Sequence, residues 1–228
     1  MTNRPTRAVM SWSSGKDSTF ALHAARQQAD LQITHLLTTV NEMHDRVAIH
    51  GVRSDILRAQ AKALGLPLVE VPLPYPCSNE IYEARMANAL AGFTAQGITD
   101  YVFGDLFLED VRGYRDTQLA RAGMTGHYPL WGRETAELSR EMIASGLVAN
   151  ITTLDPKRMP KQLCGASYDD AFLQALPATV DPCGENGEFH TVVSYGPGFS
   201  HPLKLKQGET IEREGFVYTD FMLDSTAA

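Results

Sequence analysis

A short polar loop between a predicted strand and a predicted helix constrains the fold of this chain more than any other feature. Residues 7–10 are apolar enough for a buried strand, and residues 19–28 have the Ala- and Leu-rich pattern of a helix. A strand that turns through small residues into a helix directs backbone N–H groups and the positive end of the helix dipole at one point. This 11–18 loop therefore predicts an anion site, and phosphate is the usual anion. Its residues are Ser11, Trp12, Ser13, Ser14, Gly15, Lys16, Asp17 and Ser18.

The spacing of residues in the 11–18 loop excludes a Walker-type phosphate loop. That motif has Gly five residues before its Gly-Lys pair, and Ser or Thr directly after the Lys. Here those two places hold Met10 and Asp17. A serine-rich cap of an ordinary helix is the structural alternative. A cap, however, requires neither the cation of Lys16 nor the carboxylate of Asp17, so we favour a phosphate site of another kind.

Strand and helix patterns alternate through the first half of the chain. Such alternation predicts an α/β fold with a doubly wound, mostly parallel sheet and helices on both faces. Ligands in these sheets lie at the carboxyl ends of the strands. The 11–18 loop, residues 38–40 and residues 104–105 all lie at such ends, so we expect them to converge on one crevice. The further predicted strands are 33–40, 68–71, 101–103 and 127–131, and the predicted helices between them are 52–64, 79–96 and 111–124.

The pattern changes after residue 132. Beyond it we predict a helix at 134–145, a strand at 147–153, an exposed basic loop at 155–161 and a short helix at 169–176. From Phe189 onward the sequence is typical of antiparallel strands, with a hairpin turn at Glu214 and Gly215. We therefore predict two closely packed domains, an α/β domain at 1–132 and a smaller α+β domain at 133–228.

A second set of reactive side chains lies between Asp181 and Thr191. The Asp-Pro and Asn-Gly pairs of this segment are turn formers and need no function. Turn formation does not explain why Glu188 and His190 flank the turn at the start of a strand. On an extended backbone these two residues would share one face. Such a pair can bind an ammonium ion, or move a proton as an amine attacks.

Composition is that of an ordinary globular protein and limits the classes of partner. Hydrophobic residues make up 43% and charged residues 21% of the chain. The formal net charge of −7 argues against broad binding to nucleic acid. Since no apolar run approaches the length of a membrane span, we expect no membrane partner. The three widely spaced cysteines, Cys77, Cys164 and Cys183, form no Cys-x-x-Cys pair and indicate a reducing, cytoplasmic location.

Four segments together resemble one enzyme family. The 11–18 loop is similar to the pyrophosphate loop (PP-loop) of ATP pyrophosphatases, and nearly the whole chain resembles the diphthine–ammonia ligases within that superfamily. Because Ser14 replaces the first Gly of the family's loop, we expect no positive φ there. The matching residues are Ser13-Ser14-Gly15-Lys16-Asp17-Ser18, Gly104-Asp105-Leu106-Phe107-Leu108-Glu109-Asp110-Val111-Arg112, Pro129-Leu130-Trp131-Gly132-Arg133 and Cys183-Gly184-Glu185-Asn186-Gly187-Glu188-Phe189-His190-Thr191.

The resemblance implies a HUP-type (Rossmann-like) ATP-binding domain at 1–132, followed by a substrate domain. It also implies that a carboxylate is adenylated by ATP, with release of pyrophosphate, and is then converted to an amide by free ammonium. In the family the carboxylate belongs to diphthine, a modified histidine of a translation elongation factor. A small metabolite or cofactor precursor is the alternative acceptor.

The resemblance also implies roles for single residues. Asp17 and Asp105 are the expected ligands of Mg2+, which favours carboxylates together with water. Thr39 and Val40 would meet the adenine through backbone groups. The catalytic set would be Lys16, Glu185, Asn186, Glu188 and His190. The ATP-binding set would be Ser11, Ser13, Ser14, Gly15, Lys16, Asp17, Ser18, Thr39, Val40, Gly104 and Asp105.

For other residues near these segments, a structural role is at least as well supported as a functional one. Glu109 suits a helix start, and Arg112 is equally suited to pair with it or to bind a phosphate. Trp131 is expected in the core, and Cys183 is expected to be buried beside its turn and not to act as a nucleophile. Three residues after the second strand are expected to be ordinary loop residues: His44, His50 and Arg53.

Two rival functions stay open at this point. A PP-loop enzyme that adenylates transfer RNA would require a catalytic cysteine pair or a basic domain, and neither is visible in the sequence. A protein that binds ATP without turnover would not need the second set of reactive side chains between Asp181 and Thr191.

Overall fold

Strands and helices alternate along the first half of the chain, and strands predominate at the end. The computed structural model describes residues 4–47 and 51–224. Besides α-helices, these ranges contain one 3-10 helix, at Lys161–Leu163. The elements in these ranges are β1 (Thr6–Ser11), α1 (Lys16–Arg26), β2 (Leu31–Asn41), β3 (Arg46–Val47), α2 (Ser54–Leu64), β4 (Leu68–Leu73), α3 (Asn79–Thr94), β5 (Asp100–Val102), α4 (Glu109–Arg121), β6 (Thr125–His127), α5 (Thr135–Ala144), β7 (Val148–Leu154), α6 (Asp170–Ala175), β8 (Phe189–Tyr195), β9 (Leu205–Arg213) and β10 (Phe216–Leu223).

The first six strands form a mostly parallel sheet with β1 near its centre. β1 pairs in parallel with β2 and β5, β2 with β4, and β5 with β6. The short β3 runs antiparallel to the last two residues of β2. Because β2 and β4 lie on one side of β1 while β5 and β6 lie on the other, the strand order reverses beside β1. The predicted α/β class is confirmed, and the 11–18 loop lies at the switch point where such sheets bind ligands.

Helices cover both faces of this sheet, and the sheet lies between two apolar clusters. Leu22 of α1 and Leu57 of α2 belong to the larger cluster. Leu90 of α3 and Leu119 of α4 belong to the smaller one, on the other face. Helix α2 ends where the sequence predicted, because Gly65 adopts the left-handed conformation at φ +66° that terminates helices.

The last four strands form a second, antiparallel sheet in the order β8-β7-β10-β9. The predicted hairpin turn between β9 and β10 is confirmed, with Glu214 and Gly215 both at positive φ. The larger apolar cluster continues from Met10 of β1 to Leu154 of β7 and Phe189 of β8, so the two sheets share one core. The domain boundary at residue 132 stays a prediction.

Many element boundaries differ from those predicted by one to four residues, as at the ends of β6 and α4. The predicted strand at 127–131 is wrong beyond His127, because the chain turns and the Trp131 N–H donates to the Tyr128 carbonyl at 3.1 Å. Helix α4 ends at Arg121, three residues early, ahead of Gly123 at φ +67°.

Across residues 4–47 and 51–224, every helix is too short or too polar to cross a bilayer.

Asp220 of β10 connects the second sheet to the chain that follows β2. Its carboxylate lies 2.8 Å from the Arg46 guanidinium and 2.7 Å from that of Arg53. Burial raises the pKa of Asp220, but the hydrogen bonds from the two arginines outweigh it, so the pKa is lowered from its ordinary value. Arg53 thus holds Asp220 from the N-terminal end of α2. His50 lies outside the described residues.

We expect Asp220→Asn to lower the free energy of unfolding near neutral pH by about 1 kcal/mol, since partly exposed ion pairs are modest. A lowered carboxyl pKa stabilises the fold above the unfolded-state pKa, about 3.9, and this stabilisation is lost as the pH falls through the folded-state pKa. Urea unfolding should therefore show a constant difference between the two proteins from pH 7 to 5 that shrinks below about pH 4. Asp30→Asn, at an exposed turn, is the control. A difference that is independent of pH would contradict the assignment.

Candidate active site

The 11–18 loop has a left-handed residue at its centre, which corrects a prediction from the sequence. Ser14 has φ +67°, although the replacement of Gly by Ser at this place was expected to indicate a negative φ. The conformation costs a non-glycine residue roughly 1–2 kcal/mol. Contacts from distant parts of the chain offset this cost, since the Ser14 carbonyl accepts from the Val193 N–H at 2.9 Å and from Gln60 Nε2 at 3.1 Å.

Hydroxyl groups stabilise the rest of the loop. Ser13 Oγ donates to Ser18 Oγ at 3.2 Å and accepts from the Gly15 N–H at 3.4 Å. Ser18 Oγ donates to the Gly15 carbonyl at 3.0 Å. Helix α1 begins at Lys16 after Gly15, which has no side chain to cap it. The positive end of the α1 dipole therefore lies at the loop.

Lys16 is buried between the two halves of the chain. Its Nζ donates to Asp17 Oδ2 at 2.9 Å and to the Cys183 carbonyl at 2.5 Å. The rings of Tyr168 and Phe189 lie 5.6 and 5.1 Å from the same nitrogen. Burial alone would lower the pKa of Lys16, but the charges of Asp17, Cys183 and Glu185 together with the hydrogen bond to Asp17 outweigh it, so the pKa is raised and the ammonium stays charged.

Asp17 has one carboxylate oxygen available for a cation. Its Oδ1 is buried and, among the described residues, has no hydrogen-bond partner. Burial raises the pKa of Asp17, against the opposing charge of Lys16. The part of the chain that the structure describes contains no cluster of three His, Cys, Asp or Glu that could hold a metal ion by itself. Mg2+ commonly uses one or two carboxylates together with phosphate and water, so the free oxygen of Asp17 fits a ligand of Mg2+.

The turn after β5 lies directly against the start of α1. A Cβ on Gly104 would lie 2.9 Å from the Asp17 carbonyl carbon and 3.0 Å from the Ser18 nitrogen. The convergence predicted for these two strand ends is therefore present. Asp105 is held by Arg115, whose Nε lies 3.0 Å from Asp105 Oδ2.

Glu185 connects the 181–191 segment to the turn after β5. Its Oε1 accepts from the Leu106 N–H at 2.7 Å. Burial raises the pKa of Glu185 to about 7; the Leu106 hydrogen bond opposes this shift, and the charges of Asp17 and Asp105 add to it. The carboxyl group can thus exchange a proton near neutral pH, which suits a general acid or base.

Glu188 is fully buried and is held by three groups. Its Oε1 lies 2.9 Å from Arg158 and accepts from Asn186 Nδ2 and the Asp181 N–H, both at 3.2 Å. Arg158 also donates to the Asn186 carbonyl. Glu188 lies in the turn before β8, whereas His190 lies in β8 opposite Thr153. Glu188 therefore lies outside the strand, and the two residues do not share a strand face as expected.

A cavity of about 1140 Å3 opens beside the loop, between α3 and α4. Ser11, Ser13 and Thr39 line it at the ends of β1 and β2. Val40 is buried next to this strand end and pairs with Val47 of β3. The residues that line the cavity on its other sides include Tyr101, Phe103, Met86, Leu90, Arg115 and Gln118.

One acidic side chain bridges the two helices that bound the cavity. Glu83 Oε1 of α3 accepts from Tyr114 Oη at 3.2 Å and from Gln118 Nε2 at 3.1 Å, both on α4. The volume and the mixed polar and apolar lining are those of a small-molecule site.

Several residues of the site had no role assigned from the sequence. Thr191 Oγ1 accepts from the Lys16 N–H at 3.0 Å, and Arg158 and Gln60 hold the turn and the loop as described above. In the sequence Arg158 is one residue of the basic loop at 155–161, Thr191 ends the fourth matching segment and Gln60 is a polar residue on a helix; none of these signals identifies a partner. Cys183 is buried as expected, and burial raises its pKa to about 12, so it is not a nucleophile at neutral pH.

We expect Gly104→Ala to lower the free energy of unfolding by about 1–3 kcal/mol, because the added methyl group meets backbone atoms that cannot move aside cheaply. Binding of pyrophosphate to the loop, measured by calorimetry, should weaken as α1 shifts. Gly113→Ala is the matched control, since its Cβ on α4 meets nothing within 4 Å. Equal stability and equal pyrophosphate binding in both variants would contradict the close packing of Gly104.

Comparison with known proteins agrees with this geometry. Residues 6–125 match the family model of the diphthamide synthase N-terminal domain. No curated protein matches the chain. The matched range contains β1 to β5, the 11–18 loop and the Gly104 turn, with the mostly parallel sheet of a Rossmann-like HUP fold. The chain therefore belongs to the diphthamide synthase family, that of the diphthine–ammonia ligases, within the ATP-using PP-loop enzymes.

Proposed function

We propose that the protein is an ATP-dependent amide ligase that adenylates a carboxylate and then transfers ammonia to it. One observation carries the proposal. The Lys16 ammonium in the 11–18 loop donates to the Cys183 carbonyl, two residues before Glu185, so the loop and the acidic turn are in direct contact. In this proposal the α/β domain at 1–132 binds ATP, and the domain at 133–228 supplies the groups for amide formation.

The first half-reaction requires stabilisation of the departing pyrophosphate. A substrate carboxylate oxygen attacks the α-phosphorus, the bond between the α-phosphorus and the bridging oxygen breaks, and pyrophosphate leaves. In this proposal the start of α1, with the positive end of its dipole, stabilises the negative charge of the pyrophosphate. Ser13 and Ser18 order the loop before ATP arrives, and Thr39 and Val40 border the proposed adenine position.

Mg2+ would neutralise phosphate charge during this step. Asp17 is the residue best placed to hold the ion, through its buried Oδ1. Asp105 is a second ligand in the proposal, although its carboxylate is already paired with Arg115.

The second half-reaction requires a group that accepts a proton from nitrogen. The nitrogen attacks the acyl carbon, the bond from that carbon to the AMP oxygen breaks, and a proton passes from nitrogen to a base. We assign this base to Glu185, whose pKa of about 7 lets it accept a proton at neutral pH. Glu188 and Asn186 then act by fixing the turn that holds Glu185, and His190 contributes to the binding of the acyl group.

Membership of the family supports a choice of acceptor. We propose protein-bound diphthine as the carboxylate substrate and ammonium as the nitrogen source, in the cytoplasm. No membrane or nucleic-acid partner is required by this chemistry.

The proposal predicts release of AMP and pyrophosphate that depends on the acceptor. We would incubate the protein with ATP, Mg2+ and ammonium, with and without elongation factor bearing diphthine and a panel of small carboxylates. Lys16→Met keeps the apolar stem between Tyr168 and Phe189 but removes the charge, and we expect a loss of at least about 100-fold in rate.

Each outcome of this assay has a defined meaning. AMP that appears only with one acceptor identifies the substrate, whether protein-bound diphthine or a small metabolite. Release of ADP would contradict PP-loop chemistry. ATP binding without turnover on any acceptor would contradict the ligase proposal and favour an ATP sensor.

We expect the rate of amide formation to increase with pH through about 7. The carboxylate form of Glu185 is the base, and its fraction rises roughly tenfold between pH 6 and 8 for a pKa near 7. Glu185→Gln should lose this increase and retain only the rise due to the titration of ammonium, which is common to both proteins. Glu109→Gln, on the exposed first turn of α4, is the control. An unchanged pH profile in Glu185→Gln would exclude Glu185 as the base.

A further inference from the structure

Gln60 of α2 is a fully buried amide with all of its polar groups satisfied. Its Oε1 accepts from Trp12 Nε1 at 3.0 Å. Its Nε2 donates to the Ser14 carbonyl at 3.1 Å and to the Val193 carbonyl at 2.6 Å. Since one side of the amide faces a donor and the other faces two acceptors, these partners determine its orientation.

These three contacts connect three separate elements. Trp12 and Ser14 belong to the 11–18 loop, Val193 belongs to β8 of the second sheet, and Gln60 itself lies on α2. The Ser14 carbonyl accepts a second hydrogen bond, from the Val193 N–H at 2.9 Å. The left-handed residue of the loop is thus held by two donors, on α2 and on β8.

The conformation of Ser14 determines where the following N–H groups point. A non-glycine residue keeps positive φ only where its surroundings impose it. Without the contact from Gln60, the loop would have access to conformations other than the one that leads from Ser14 into the first turn of α1. Binding an anion would then carry the cost of ordering the loop.

We propose that Gln60 is a positioning residue for the nucleotide, which holds Trp12 and Ser14 so that the 11–18 loop is ordered before ATP binds. The inference rests on ATP binding by this loop, as in the proposed function, but not on the identity of the acceptor or on amide formation. Gln60 touches no reacting atom and acts through Ser14.

The test is calorimetric binding of Mg2+–ATP and of inorganic pyrophosphate to the full chain. Gln60→Met fills a similar volume and removes all three hydrogen bonds. We expect it to raise both dissociation constants on the order of tenfold, the equivalent of about one hydrogen bond. Gln60→Glu retains an acceptor for Trp12 but directs a carboxylate oxygen at two carbonyls, and should bind still more weakly. At saturating ATP, kcat should stay within about twofold while KM for ATP rises.

Two further comparisons separate positioning from general stability. Ile56→Val, on the same helix and with an apolar side chain, should lower the melting temperature without changing the affinity for ATP. Thr191→Val removes the hydroxyl that accepts from the Lys16 N–H and should weaken ATP binding, whereas Thr191→Ser keeps the hydroxyl and should restore it. This pair preserves the test if Gln60 variants fail to fold.

The possible outcomes are distinguishable. If Gln60→Met lowers the melting temperature as Ile56→Val does but leaves both dissociation constants unchanged, Gln60 is only a core amide and the proposal is wrong. If Gln60 variants do not fold and Thr191→Val binds ATP normally, the proposal is also wrong. If the wild-type protein itself binds neither ATP nor pyrophosphate, both this inference and the proposed function fail.

Discussion

The buried ammonium of Lys16 is the interaction on which the rest of the site depends. A charge removed from water is costly unless it is paired and hydrogen-bonded, and here Asp17, the Cys183 carbonyl and two aromatic rings supply those partners. Asp17 precedes β2, and the other three groups follow β7. Separation of the 11–18 loop from the later segment would therefore remove the carbonyl and both rings from a buried charge, which favours one arrangement of the two.

Features that depend on local sequence were predictable, and features that depend on distant contacts were not. Gly65 ends α2 and Glu214-Gly215 forms a hairpin because the requirement for positive φ is met within a few residues. At Ser14 the same requirement is met by Val193, far along the chain, so the local sequence indicated the wrong sign of φ. The convergence of strand ends at the site followed from the alternation of strands and helices alone.

The candidate functional side chains likewise divide into those that motif spacing indicates and those that only distant contacts reveal. Lys16, Asp17 and Gly104 were found from motif spacing, because each has a fixed place relative to a strand end. Gln60 had no such place, and its hydrogen bonds reach residues 46 or more positions away. The family match ends at residue 125, yet Ser14 and Lys16 depend on hydrogen bonds to β8 and to Cys183, beyond that range. The loop of the matched domain is thus completed by the unmatched part of the chain.

The wall of the cavity formed by α3 buries little of its own surface. Within this 16-residue helix, all of which the structure describes, Leu90 and Phe93 are the buried residues, Tyr82, Met86 and Ala89 are partly buried against the same cluster, and Glu83 supplies hydrogen bonds to α4. Segments with little buried apolar surface open locally at a fraction of the free energy of global unfolding. We therefore expect α3 to open more readily than the two sheets, so that the cavity can widen while the buried Lys16 stays in place.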